Sequence, residues 1–323
     1  MTSDRSTSIL RLCSAAFGGI LLALCAGAPA LAADDPMAAA SYIGEKACIE
    51  CHGQENKHFS DTLHAKTFRL NPKSEGERQV CEACHGPGSL HAKDTKNRSL
   101  IIGFTKGWNT EVAVQNGQCL NCHKGGNRMH WPGSIHQANQ LACADCHNPM
   151  ERISANSLLV RQSITETCVQ CHAQQRAEFK KRSHMPVPEG KMSCVDCHNP
   201  HGSITKPLLK AESVNVVCYT CHAEKRGPFI WEHAPVRENC LNCHSPHGSN
   251  QDKLLQEPRP YLCSKCHDPA VGHPGQLWRA DQSAASNLAN GLASSARVIG
   301  RACQNCHSQI HGSNHPSGAR FQR

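Results

Sequence analysis

Residues 168–203 read CVQCHAQQRAEFKKRSHMPVPEGKMSCVDCHNPHGS, and residues 218–249 read CYTCHAEKRGPFIWEHAPVRENCLNCHSPHGS. Each stretch holds two Cys-x-x-Cys-His motifs, a solitary histidine between them, and another histidine three residues past the second motif. The spacing answers a specific chemistry. Two thiols three residues apart on one turn of helix can add to the two vinyl groups of a single haem, and the histidine directly after them then sits beneath the iron as proximal ligand. Zinc ribbons and disulfide scaffolds also use Cys-x-x-Cys, but neither requires histidine directly after the second cysteine.

Working outward, the motif occurs ten times. Its cysteines are Cys48 and Cys51, Cys81 and Cys84, Cys119 and Cys122, Cys143 and Cys146, Cys168 and Cys171, Cys194 and Cys197, Cys218 and Cys221, Cys240 and Cys243, Cys263 and Cys266, and Cys303 and Cys306. The motif histidines are His52, His85, His123, His147, His172, His198, His222, His244, His267 and His307. Histidine fills 22 of 323 positions, so its presence at all ten of these places is not a matter of composition. The reading is ten covalently bound haem c groups per chain.

The two quoted stretches define a larger repeat of two motifs. It recurs with more drift from Cys119 and, with a longer insert, from Cys48; a fifth pair from Cys263 to His307 is stretched by a segment, 276–302, that reads as a helix. The repeat selects the distal iron ligands. A solitary histidine comes after the first motif of a pair at His64, His136, His184 and His233, and a second comes after the second motif at His91, His201 and His247. In the last pair the candidates are His273, His311 and His315, which brings the distal set to ten. A histidine only three residues past a proximal ligand, such as His201 or His247, cannot reach the opposite face of the same macrocycle and must serve a different haem. His58 and His130 are left unassigned. Met150 stands where His201 and His247 stand, which leaves Met150, His130 or His315 to fill the gap, or Met150 as an apolar residue packed on a haem face.

Residues 1–32 read as a secretory signal peptide, with Arg5 and Arg11 ahead of an apolar run from Leu12 to Leu24 and the small-residue site Ala30, Leu31, Ala32. The remainder, 33–323, is then one decahaem cytochrome c domain of five two-haem modules. Aromatics are 4% of the chain and its 39% apolar content is inflated by 22 cysteines, so side chains alone offer little surface to bury. The expected fold is a multihaem cytochrome c, mostly irregular, with short α-helices around a haem-stack core and little or no β-sheet. The formal charge of +8, taken alone, points toward nucleic acid. Ten ferric haems with ionised propionates turn the exported holoprotein anionic, so no nucleic-acid partner is expected, and lysines and arginines such as Lys180, Lys181 and Arg182 are expected to pair with propionates or face solvent.

With both axial positions filled by imidazole, each iron is an outer-sphere relay rather than a catalytic centre. Ten such motifs, with the CHxPHG and SxH signatures, resemble the periplasmic decahaem cytochromes of the MtrA, DmsE and PioA type, and the resemblance covers the mature chain. It implies an electron conduit inside an outer-membrane porin-like β-barrel, meeting periplasmic or inner-membrane cytochromes on one side and extracellular ones on the other, for metal reduction or iron oxidation. It also implies two pentahaem halves with a midpoint between His172 and Cys194, although the residues read more clearly as five pairs. The alternatives are a multihaem oxidoreductase of the nitrite or hydroxylamine type, whose CxxCK motif does not occur here, and a periplasmic electron shuttle without a barrel.

Overall fold

The computed structural model describes residues 37–267 and 303–322. The segment 1–32 read as a signal peptide, His273 and the segment 276–302 lie outside the described residues. The described chain is a succession of short helical turns joined by loops. Its longest helix, Val112–Leu120, has nine residues. Among the described residues there is no β-strand, only isolated bridges. No helix there is long and apolar enough to cross a membrane.

The short helices begin where a side chain can satisfy the first exposed amides. Thr62, Ser134 and Ser213 each accept a hydrogen bond from an amide three residues on. Ser163 does so reciprocally with Glu166, the capping arrangement that opens a helix. The helices end early because motif succeeds motif. In the second motif of the second, third and fourth pairs the turn stops at the histidine, and Pro149, Pro200 or Pro246 two residues later cannot continue it.

A shared loop succeeds each of those second motifs. It returns so that His147 bridges Leu159, His198 bridges Leu209, and His244 bridges Leu255. The return needs a left-handed residue, and Leu158, Leu208 and Leu254 take φ of 48°, 62° and 58°. Leucine tolerates that conformation poorly, so the surrounding bonds must hold it. Asn148, Asn199 and Ser245 donate their amides to the carbonyls of these same leucines at 2.6, 2.8 and 2.7 Å.

Side chains build very little core. The buried apolar residues are scattered, and one small cluster gathers Phe59, Ala65 and Val80, with Phe68, Cys81 and Met150 packed against it. Leu63, Leu70 and Ile204 are 71%, 81% and 81% exposed. A chain with so few aromatics cannot fill an interior by itself, and the motif surfaces are where the missing apolar mass belongs.

Candidate haem sites

In all ten motifs the amide of the histidine donates to the carbonyl of the first cysteine, at 2.9–3.1 Å. Each motif is therefore one closed helical turn with both thiols and the imidazole on it. No disulfide joins any of the twenty motif cysteines. Their thiols stand where the thioether sulfurs of haem c would be.

Seven of the motif histidines face another predicted ligand. His52 meets His91 with ring centres 6.4 Å apart, His123 meets His64 at 5.9 Å, and His172 meets His136 at 6.2 Å. His147 meets His201 at 6.0 Å, and His198 meets His247 at 6.2 Å. His267 meets His233 at 6.0 Å, and His244 meets His311 at 6.2 Å. A metal–imidazole bond is roughly 2 Å long, so two imidazoles on opposite sides of one ion have ring centres roughly 6 Å apart. Ring stacking would force parallel planes. Here the interplanar angle runs from 13° to 85°, as rotation about a shared axis allows.

The protonation states agree. Burial pushes His201 and His311 down to about 4, with His147 adding to the effect at the first and Lys225 at the second. Burial also lowers His64, His85, His91, His123, His233 and His247. Neutral imidazole is the form that binds a metal.

A further set of groups aims the rings. The second-motif histidines all present Nδ1 to a main-chain carbonyl: His85 to Ile102 at 2.7 Å, His147 to Ser157 at 2.8 Å, His198 to Pro207 at 2.8 Å, and His244 to Lys253 at 2.9 Å. His307 bonds the carbonyl of Arg320 in the same way. His136 and His233 do likewise with Pro200 at 2.7 Å and Ile310 at 3.0 Å. With Nδ1–H engaged, Nε2 carries the lone pair for iron. The sequence reading missed these acceptors, although the Leu-Leu dipeptides at 158–159, 208–209 and 254–255, each at a similar distance past the second histidine, marked the loops that supply them. It also missed Asn116 and Asn215. Each holds the amide of the next motif's first cysteine, Cys143 or Cys240, at 2.7 Å.

Not every predicted ligand finds a histidine partner. His184 bonds Glu189 at 3.0 Å and the carbonyl of Lys181 at 2.8 Å instead of facing His222, whose ring lies 3.7 Å from Glu224. His315 accepts from the amide of Ser317. His58 lies between Gln54 and Glu151. His130 is exposed. Arg182 pairs with Asp252 at 2.9 Å.

The thiols reveal the order of the sites. Within every pair the two first cysteines come close enough for one thiol to shift the other's acidity: Cys48 with Cys81, Cys119 with Cys143, Cys168 with Cys194, Cys218 with Cys240, and Cys263 with Cys303. Between pairs the second cysteines come within electrostatic range: Cys84 with Cys122, Cys146 with Cys171, Cys197 with Cys221, and Cys243 with Cys266. The consequences show in the acidities. Burial, and after it the Cys48 thiol, pushes Cys81 up to about 12, while the nearby Cys168 thiol draws Cys194 down. The ten motifs thus follow one another in chain order, each with a thiol within electrostatic range of the next, and between pairs first and second sulfurs also meet, as Cys84 does Cys119 and Cys168 does Cys146.

Residues 184–227 and 233–272 match the family of the doubled CXXCH motif, and residues 81–171 match the NrfB-like c-type cytochromes. The motif turns, the facing imidazoles and these matches define a multihaem c-type cytochrome that binds haem c covalently. The multiheme cytochrome MtrA of Shewanella baltica (strain OS185) is 40% identical over 280 residues, which is 87% of this chain and 81% of the relative. The chain belongs to the MtrA family of multihaem cytochromes, electron-transfer proteins rather than enzymes. The c-type protein NrfB of Haemophilus influenzae is 29% identical over 141 residues, 42% of this chain and 62% of that one. An undecaheme cytochrome from the S-layer of Carboxydothermus ferrireducens covers 76% of this chain and 32% of its own at 19% identity, with a TM-score of 0.17 that is too low to indicate a shared arrangement.

Proposed function

We propose that the chain holds ten haem c groups in sequence order and passes electrons along them as the wire of an outer-membrane porin-cytochrome complex serving extracellular electron transfer. The observation that carries this reading is the succession of neighbouring motifs, each with a thiol within electrostatic range of the next from Cys48 to Cys303. Bound haem c supplies a one-electron couple at its iron. The residues of the chain do the rest. The cysteine pairs fix the spacing, and at seven of the motifs the histidine and its facing partner would hold the iron from both sides, which would leave no open position there for a substrate. The carbonyls at Ile102, Ser157, Pro207 and Lys253 hold the imidazoles in the iron-binding tautomer.

In this reading residues 1–32 direct export and the mature chain is periplasmic, seated in an outer-membrane β-barrel porin-like protein. It exchanges electrons with periplasmic or inner-membrane cytochromes on one side and with extracellular cytochromes on the other, in metal reduction or iron oxidation. The five pairs are its two-haem modules. The sequence signal for export and the family relationship support this placement.

The test is purification from outer membranes of the native host. The expected result is an intact mass equal to the processed polypeptide plus ten haems, together with a co-purifying β-barrel protein. Recovery from the periplasmic fraction with no barrel partner would overturn the conduit, and a mass short of ten haems would overturn the complete row.

A further inference from the structure

We infer that the thioether sulfur of Met150 is the second axial ligand to the haem carried by Cys81, Cys84 and His85. The inference rests on the ten-haem reading above and extends it to a position where the repeat departs from histidine.

The register of the pairs makes the case. In later pairs the residue three or four past the second motif histidine reaches back to the second site of the preceding pair. His201 faces His147, His247 faces His198, and His311 faces His244, at 6.0, 6.2 and 6.2 Å. Continued one step toward the N-terminus, the same register carries residue 150 to the site of His85.

Two neighbouring contacts show that Met150 keeps this register. His201 packs on Trp131 at 6.5 Å, and His247 packs on Phe179 at 5.6 Å. Each aromatic lies five residues before the solitary histidine of the preceding pair, and the residue at that place in the first pair is Phe59. Met150 packs against the cluster of Phe59, Ala65 and Val80, the last of which adjoins Cys81. One residue further on, a Cβ on Gly202 would meet the carbonyl oxygen of His130, and one on Gly248 that of Glu178. The residue matching His130 and Glu178 is His58, and Glu151 lies 3.5 Å from its ring. Met150 and Glu151 therefore stand in the first junction where His-Gly stands in the next two.

The site they reach is prepared like its counterparts. His85 presents Nδ1 to the carbonyl of Ile102 at 2.7 Å, which leaves Nε2 for iron. The neighbouring imidazoles are engaged elsewhere, since His52 and His91 face each other and His58 is turned to Gln54 and Glu151. The donor that the register delivers is a thioether, a soft ligand that iron accepts and that raises its potential above that of a bis-histidine haem. A methionine placed only to fill space would be replaceable by leucine of nearly equal volume.

That difference is the test. Ferric holoprotein is examined for the far-red charge-transfer band of thioether-ligated haem, and peptide mass establishes haem on Cys81 and Cys84. The expected result is a band corresponding to one haem in the ten, with one redox component above the others. In Met150→Leu the band vanishes and one haem becomes high-spin. In Met150→His the band vanishes, every haem stays low-spin, and the high-potential component falls into line with the rest. Haem on Cys81 and Cys84 without the band, or a band that persists in Met150→Leu, would overturn the inference alone. A Cys81–Cys84 peptide without haem would overturn the ten-haem reading too, and the mass distinguishes the two failures.

Discussion

The first motif pair and the middle pairs complete their sites differently. In the first, His91 returns to His52 within the pair. In the middle, solitary and trailing histidines reach across to a neighbour, as His136 does to His172 and His201 to His147. Their anchoring differs as well. The second and fourth pairs clamp motif to motif with the side-chain amides of Asn116 and Asn215. The first buries the Glu82 carboxylate, which accepts from the amides of Ile43, Gly44 and Gly88 at 3.0, 2.9 and 2.8 Å. An internal pair is defined by its neighbours. A terminal pair has one neighbour fewer and must close on itself, as the capping units of repeat proteins do.

Breaking the middle outright has the largest expected effect. Replacing Cys194 and Cys197 with alanine removes attachment at the sixth motif, so intact mass falls by one haem and electrons supplied at one end leave the sites beyond the cut oxidised. Full reduction at the wild-type rate would show that electrons do not travel along the row. Next comes the loss of a single ligand. His201→Ala and His91→Ala are each expected to yield one high-spin ferric haem per chain, but only His201→Ala also loosens a junction, seen as faster proteolysis between the second and third pairs. Equal proteolysis in the two variants would erase the distinction between internal and terminal pairs.

A smaller effect tests the closeness of the junctions. A Cβ at Gly202 would lie 2.0 Å from the carbonyl oxygen of His130, and one at Gly248 would lie 1.9 Å from that of Glu178. Overpacking of this kind costs about 1–3 kcal/mol, so both alanine variants should melt earlier, whereas Glu151→Ala at the first junction stays within about 1 kcal/mol. The smallest effect belongs to Asp252→Asn, which breaks the exposed pair with Arg182 between the third and fourth pairs. A change above about 1 kcal/mol there would mean that charge, rather than close packing, holds that junction.

Much of this architecture is legible in the sequence because covalent attachment requires cysteines and histidine at fixed spacing on one turn. The motif turns at Cys48 through His307 and the scarcity of other structure could be read directly. Partnership could not. His64 lies 59 positions from the His123 it faces, and no local pattern sets that distance. The loops after the second motifs escaped notice because their signal is a pair of leucines, which ordinarily marks a core, and here one of the two bends the chain in a left-handed conformation. His184 fits the repeat, yet it lies against Glu189, a local carboxylate that the repeat does not contain.

The trailing histidines make the pair the unit of growth. His201, His247 and His311 each reach the second motif of the pair before their own, so removing one complete pair would bring an equivalent histidine to the vacated site at the new seam. Removing a single motif would leave an imidazole without its counterpart. Chains built on this plan lengthen or shorten most readily by whole pairs, and their reach across a barrier changes by that increment.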